Sequence, residues 1–279
     1  MNWLNGKKTE VNPEVQERQS RRRKTAHFSP SDTETVQIEG RNPVREALRA
    51  GRALDCILMI YSDRPGPLQE IKSMAHERGV RVDIVDRAHL DRQSVTGRHQ
   101  GVIAIAAARG YVDVEDILQR AHKRNETPFL LLCDEIQDPH NLGALLRSAE
   151  ATGVHGVVIP SRRAVGLTPT VAKTSAGAVE HVAVARVTNM VQTMRLLKEA
   201  GLWIVGAEMN AEQTLWEADL TGPLAVVVGS EGAGLGRLVS EHCDFMVSIP
   251  MCGRVNSLNA SVAGSLILFE VLRQRQRRE

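Results

Sequence analysis

From Phe129 to Pro250 the chain repeats one pattern, a short continuously apolar run followed by a stretch of helical spacing. The runs are FLLLCDEI, GVVIP, HVAVARV, LWIVGAE, LAVVVGS and FMVSIP. Apolar residues fall on consecutive positions, so such a strand has no face to turn to water. Both faces must be covered, and helices lie between most of the runs. The pattern therefore predicts an α/β fold built on a parallel sheet with helices on both sides. Ligands in such sheets sit beyond the carboxyl ends of the strands. Functional residues are expected in the loops that follow the runs.

The segment before this one is smaller and also alternates. In GRNPVREALRAG, Asn42 and Pro43 signal a helix start and Gly51 a stop. LDCILMIYS reads as a strand, GPLQEIKSMAHERG as an amphipathic helix closed by Gly79, and VRVDIVD and QGVIAIAAA as two more strands. Residues 36–109 are expected to form a small α/β domain, 110–127 a charged helical linker, and 128–279 the larger domain. Residues 1–35 are polar, lack apolar periodicity and carry Arg21, Arg22, Arg23 and Lys24. They read as a disordered basic tail, either touching phosphates or simply solvated.

Composition removes several classes. A net charge of +2 does not by itself require a nucleic-acid partner, and 3% aromatics leave little for a broad base-stacking platform. The four cysteines, at 56, 133, 243 and 252, form no Cys-x-x-Cys pair, and no histidine cluster has zinc spacing. Reduced thiols and no metal are expected. No apolar run approaches the ~18 residues of a spanning helix, and the N-terminus lacks the apolar centre of a secretory signal. A soluble, cytoplasmic protein is expected.

Three strand-end loops carry unusual residues. In DPHNLGALLRSAEATG a helix is expected from about Leu142, with Asn141 placed to cap it. Arg147 follows six residues later and is read as lying near the same face. The pair either faces one site or is a cap and a solvated arginine. In LAVVVGSEGAGLG a buried strand runs into Gly229, Ser230, Glu231, Gly232, Ala233 and Gly234. Glycines allow close backbone approach. The loop is neither a Gly-x-x-x-x-Gly-Lys-Ser/Thr phosphate loop nor a dinucleotide fingerprint. Glu231 would repel phosphates, which points to a ligand without a phosphate chain, such as a cation or a ribose hydroxyl. A plain turn with a helix-start glutamate reads equally well. In SIPMCGRVNSLNASVAGSL, Ile249, Met251 and Leu258 bracket a loop that suits an adenine ring read by backbone groups. Ser257, Ser261, Gly264 and Ser265 are small, so the following helix can pack closely on strand-end loops or on a second subunit.

In this order, DPHNLGALLRSAEATG, GSEGAGL and IPMCGRVNSLNASVA resemble the three motifs of the SpoU (TrmH) family of RNA ribose 2′-O-methyltransferases, within the SPOUT superfamily. The front segment, with IEGRNPVREAL and HQGVIA, is similar to the ribosomal-protein-like RNA-binding domain of the RlmB-type subgroup, which methylates a guanosine of bacterial 23S ribosomal RNA. The resemblance implies a SPOUT-type parallel sheet with a deep C-terminal trefoil knot, S-adenosylmethionine as cofactor, RNA as substrate and a homodimer with a site completed near the subunit boundary. It implies cofactor contacts at Gly206, Gly229, Ile249, Met251 and Leu258, and catalytic or positioning roles for Asn141, Arg147, Glu231, Ser257 and Asn259. Asn256 stands where many relatives carry a smaller polar residue such as serine.

On this reading a weakly nucleophilic ribose hydroxyl must lose a proton. An arginine base near pH 7 would cost roughly 7 kcal/mol, since a guanidinium titrates above about 12. Arg147 is better read as a charged group that orients the hydroxyl or a phosphate and stabilises developing alkoxide. His99, His140 and His181 are candidate acid–base groups by type, His140 first among them. Arg41, Arg45, Arg92, Arg98, Arg162 and Arg163 are candidate phosphate contacts. The closing RQRQRR either binds RNA or ends a solvated helix. Rival readings are a transfer-RNA or antibiotic-resistance methyltransferase, a non-catalytic RNA-binding module on this fold, and a dehydrogenase, which the missing dinucleotide fingerprint disfavours.

Overall fold

The computed structural model describes residues 35–107, 109–232, 234–254 and 257–277. The basic residues 21–24 and Asn256 lie outside the described residues.

The front segment runs β1 (Thr35–Glu39), α1 (Arg41–Arg49), β2 (Leu54–Met59), α2 (Pro67–Glu77), β3 (Val82–Ile84), α3 (Arg87–Gln93) and β4 (Val102–Ala107). Its sheet has the order β1-β4-β2-β3. β1 is an edge strand antiparallel to β4 and was not expected, because TVQIE offers too few apolar residues to stand out. Helix α1 starts at Arg41, just ahead of Asn42, after Gly40 with φ 100°. Ile38, Val44, Leu48, Ile57, Ile71 and Val102 form the core between helices and sheet.

Helix α4 (Val114–Arg124) follows, opened by a capping box between Asp113 and Asp116. Val112, just before it, bridges Ala185 at the edge of the second sheet. The connecting segment is therefore paired rather than free.

The second part runs β5 (Phe129–Cys133), α5 (Pro139–Ala151), β6 (Gly156–Pro160), α6 (Pro169–Thr174), a 3-10 turn (Ala178–Glu180), β7 (Ala183–Val187), α7 (Met190–Glu199), β8 (Trp203–Ala207), β9 (Gln213–Thr214), β10 (Leu224–Val228), α8 (Arg237–Ser240), β11 (Phe245–Ser248) and α9 (Ala260–Gln276). All six apolar runs are strands of one parallel sheet, ordered β7-β6-β5-β10-β8-β11-β9. Successive residues of the central strands point to opposite faces. Leu131, Cys133, Val226 and Val228 pack with Leu145, Leu146 and Ile267. Leu130, Leu132, Ala225 and Val227 pack with Ile117, Met194 and Leu197 on the other face. Two buried layers explain the unbroken apolar runs.

Helix α9 returns across α5 and β10. A Cβ at Gly264 would lie 2.6 Å from Leu145 Cδ2 and 3.0 Å from Val228 Cγ2, so this small residue serves packing within the chain. Ser148 and Ser265 join the two helices through a 2.7 Å hydroxyl–hydroxyl bond.

The end of α9 is only partly solvated: Arg273, Gln276 and Arg277 are exposed, whereas Gln274 and Arg275 are held within the chain. The guanidinium of Arg275 donates to the carbonyls of Thr127 (3.0 Å), Pro128 (3.2 Å) and Gly222 (2.8 Å), and lies 4.8 Å from the Phe129 ring centroid. Burial lowers its pKa. Gln274 takes the Leu220 N–H and donates to the Ala218 carbonyl. Arg275→Met keeps the aliphatic stem but strands three carbonyls. Lost charge-assisted bonds of this kind should lower the thermal midpoint by roughly 5–10 °C, as read by circular dichroism. An unchanged midpoint would show that the bolt contributes nothing.

Candidate active site

Three loops that leave the carboxyl ends of β5, β10 and β11 converge. The first differs from expectation in its helix boundary. Helix α5 begins at Pro139, three residues before Leu142, and its N-cap is Asp138, whose carboxylate accepts from the His140 N–H at 2.9 Å. Proline at the first helical position has no N–H to lose, so Asp-Pro was the legible signal. Asn141 is thus not a cap. It is the third residue of the helix, buried, with its side chain free for another role.

The second loop is a tight hairpin. The backbones of Ser230 and Gly234 bond in both directions at 3.0 Å, and Gly232 and Gly234 take φ of 80° and 67°. Gly229 lies directly beneath, and a Cβ there would overlap the Gly234 carbonyl and come within 2.5 Å of Leu235 N. Glu231 sits at the tip. Beyond the hairpin, Asp134 accepts from the Gly236 N–H at 2.8 Å. Burial pushes the Asp134 carboxyl up against the opposing effect of that bond. Asp134 was missed, although a carboxylate directly after an apolar strand was a readable sign.

In the third loop Asn259 caps α9. Its Oδ1 accepts from Ser261 N (2.9 Å), Val262 N (3.3 Å) and Ser261 Oγ (2.6 Å). This fixes the amide orientation, since the other end must then be the donor. Asn259 Nδ2 donates to Asn141 Oδ1 at 3.0 Å and to Glu231 Oε1. Asn141 Nδ2 donates to the same carboxylate oxygen at 2.8 Å. Three residues from three loops close a triangle in which each amide has one workable orientation. Glu231 Oε2 bonds to none of the described residues and remains an open acceptor.

Arg147 stands apart. Six helical residues turn through about 600°, which leaves it about 120° around α5 from Asn141. It is exposed, and no hydrogen bond or ion pair joins it to the described residues. Asn141 and Arg147 therefore do not share a face of α5, contrary to expectation. Ser257 is exposed two residues before Asn259. Gly206 lies inside β8, where a Cβ would meet Met246 Sδ at 2.5 Å and Cys243 Sγ at 2.9 Å, so packing accounts for its missing side chain. Ile249 packs against the core, while Met251 and Leu258 are partly open to solvent. From Met251 to Arg254, and at Ser257 and Leu258, the backbone forms no hydrogen bond with other described residues. Ile249, Met251 and Leu258 are thus edged by amide and carbonyl groups that bond to none of the other described residues.

Two of the three histidines are committed elsewhere. His99 is buried between Asp91 (2.8 Å) and the Gly101 N–H (3.0 Å), and His181 bonds Glu46 at 3.2 Å. His140 is exposed at the start of α5. Among the arginines, Arg41 donates to the Gln100 carbonyl, Arg45 to Glu70 and Asn42, and Arg163 to Glu135. Arg92, Arg98 and Arg162 are exposed, and their side chains bond to none of the described residues.

Comparison with known proteins agrees with this architecture. The SpoU rRNA Methylase family profile matches residues 128–269, and a profile for RNA 2′-O ribose methyltransferase substrate binding matches residues 37–112. A Bacillus subtilis protein assigned to the TrmH family of tRNA/rRNA methyltransferases is 49% identical over 238 residues, covering 85% of this chain and 95% of that one. A solved RNA 2′-O ribose methyltransferase is 30% identical with TM-score 0.72, over 88% of this chain and 90% of the other. The SpoU methyltransferase AviRb of Streptomyces viridochromogenes, solved in complex with AdoMet, shares the fold at TM-score 0.73 and 24% identity, over 87% and 91% of the two chains. A small α/β unit followed by a parallel sheet is thus the build of the SPOUT methyltransferase structures. On the strength of both profiles and a relative of nearly half identical sequence, the chain belongs to the SpoU rRNA methylase family and is an RNA 2′-O-ribose methyltransferase.

Proposed function

We propose that the chain transfers the methyl group of S-adenosylmethionine to the ribose 2′-hydroxyl of a guanosine in bacterial 23S ribosomal RNA. The observation that carries this reading is the Asn141–Glu231–Asn259 triangle, together with a loop whose backbone at residues 251–254 bonds to none of the other described residues.

The residues fit the cofactor. An adenine edge is read by backbone N–H and C=O groups, and its faces need apolar cover. Met251, Leu258 and Ile249 offer that cover, and the backbone of residues 251–254, which bonds to none of the other described residues, offers the groups. Gly229 brings backbone close, whereas Gly206 would line the site through its main chain alone. Glu231 repels a phosphate chain but tolerates a sulfonium. Bound there, the cofactor supplies an already activated methyl group.

The chain's own part is to hold the ribose. Asn141, Asn259 and Ser257 orient it, and the open oxygen of Glu231 accepts from a hydroxyl. Arg147 stays charged and stabilises developing alkoxide or holds an adjacent phosphate. The proton leaves through phosphate, water or a nearby group such as His140. Because Arg147 lies away from the triangle, this reading brings it to the site across a subunit boundary. Support for a homodimer comes from α9, where Val262 (47% exposed), Leu266 (39%) and Phe269 (48%) line one outer stripe a turn beyond Asn259. A second copy would bury that stripe.

In the same reading, residues 36–109 bind RNA, 110–127 link, 128–279 carry the reaction, and 1–35 form a basic tail. Arg92, Arg98 and Arg162 are the guanidinium groups left for phosphates. The trefoil knot belongs to this reading too, and the return of α9 across α5 and β10 supports it. Four unpaired cysteines suit the reducing cytoplasm.

The test is methyl transfer from labelled S-adenosylmethionine to unmodified bacterial ribosomal and transfer RNA, with the product mapped. A 2′-O-methylguanosine in 23S RNA is expected. Label confined to transfer RNA would overturn the target, and bound cofactor without transfer would favour an RNA-binding module. Arg147→Lys keeps the charge but loses the planar fork, so transfer should fall about a hundredfold with cofactor affinity unchanged. Near-normal turnover would remove Arg147 from the mechanism.

A further inference from the structure

The segment between β6 and β7 touches two parts of the molecule at once. On one side it is keyed into α5. A Cβ at Gly143 would lie 2.7 Å from Thr174 Cβ and 3.0 Å from Ser175 N, and Thr174 Oγ1 donates to the Pro139 carbonyl at 3.1 Å. Pro139 is two residues from Asn141, a corner of the triangle. The other side is held by residues from the front segment. Glu180 has a side chain only 2% exposed, and its carboxylate is bound by Arg52 and by Arg109 Nη1 at 3.1 Å. Arg52 also donates to the Ala107 carbonyl at 2.7 Å. Lys173 Nζ donates to Thr96 Oγ1 (2.6 Å) and to the Arg98 carbonyl (2.7 Å). The Thr96 loop is in turn fixed by buried Glu39, the last residue of β1, which accepts from Ser94 Oγ at 2.7 Å and Val95 N at 2.5 Å. Gly177, at φ 93°, lets the backbones close up, since a Cβ there would come 2.6 Å from Glu46 Cβ.

A buried carboxylate between two guanidiniums adds little net stability, because desolvation offsets the attraction. What it adds is direction, since few arrangements satisfy all the bonds. Nothing in the triangle uses Glu180, Arg52, Arg109 or Lys173.

We infer that Glu180 is a positioning residue for methyl transfer: by clamping Arg52 and Arg109 it fixes the RNA-reading domain at a set distance from the Asn141–Glu231–Asn259 site. The inference rests on the proposed function and adds a ruler to it. RNA held by the front domain meets the site at a high effective concentration only while that distance is fixed. A short oligonucleotide that reaches the site without engaging the front domain gains nothing from the clamp.

The experiment uses the full chain with two substrates, a long 23S RNA transcript and a short oligonucleotide bearing the same target nucleotide. In Glu180→Gln the KM for the long RNA should rise about tenfold, with kcat, cofactor affinity and short-substrate kcat/KM within about twofold of wild type. Lys173→Met breaks the far end of the same contact, leaves buried Glu39 its bonds from Ser94, Val95 and Thr96, and should shift the long-RNA KM about threefold. Equal losses on both substrates, or an unchanged long-RNA KM, would overturn the inference. If the wild-type chain methylates no RNA, the proposed function fails first. The clamp is then decided by small-angle scattering, where Glu180→Gln should lengthen the maximum dimension and an unchanged profile refutes it.

Discussion

Asn259→Ala is expected to lower methyl transfer by about two orders of magnitude, the usual effect of removing one preorganised polar contact from a site. It also removes a helix cap, at a cost of about 1 kcal/mol, or a few degrees in thermal midpoint. Two effects in one variant would be hard to separate, and Asn259→Asp separates them. Aspartate caps a helix as well as asparagine does, so α9 should keep its stability. It has no amide to donate, however, and would set a carboxylate oxygen against Asn141 Oδ1 and Glu231 Oε1, which now share the Asn259 Nδ2. The Asp variant should keep the α9 cap, so that its loss of stability comes from the broken triangle alone, and should transfer as poorly as the Ala variant. Substantial activity in Asn259→Asp would mean that the triangle holds the loops together without taking part in the reaction.

Gly229→Ala should weaken cofactor binding rather than turnover alone. The added methyl meets backbone, the Gly234 carbonyl and Leu235 N, and backbone cannot swing aside as a side chain would. The Ser230–Gly234 hairpin must open, which carries Glu231 away from Asn141 and Asn259. Overpacking of this kind costs about 2–3 kcal/mol, which corresponds to a cofactor Kd raised about 30- to 150-fold. Calorimetric titration with S-adenosylmethionine reads this directly. Glu231→Gln, which leaves the hairpin intact, is the companion, and its cofactor affinity should change little. Wild-type binding by Gly229→Ala would place the cofactor elsewhere.

Much of the fold was legible because the central strands bury both faces, and residues such as Leu130 to Cys133 then leave no polar position in the run. Edge strands escape that logic. β1 and the two-residue β9 are held by one neighbour each and need little apolar character. The site was legible as a set of loops, and Asn141, Glu231 and Asn259 do meet. What periodicity could not supply was direction. Asn141 and Arg147 are close in sequence yet diverge around the helix, while Asn141 and Asn259 bond across 118 positions. At Gly206 the sequence could not show the packing, since a glycine near a ligand loop and a glycine whose side-chain space is filled by a neighbouring methionine look alike in sequence. Asp138 caps α5 because proline follows it, a signal that competes in the sequence with Asn141 three residues on.

The Arg275 bolt bears on how the chain comes off the ribosome. It grips the Pro128 carbonyl from 147 residues downstream, and the central strand β10 pairs with β5 through Leu224 and Phe129, from near opposite ends of the larger domain's strand series. Domains generally acquire structure in the order of synthesis, but such a closure cannot follow that order. The front unit can fold while the rest is still being translated, whereas the larger sheet waits until α9 has been made. β5, β6 and β7 can pair with one another as they emerge, but until then the apolar face that α9 covers stays open, and that interval is when the nascent chain most needs a chaperone.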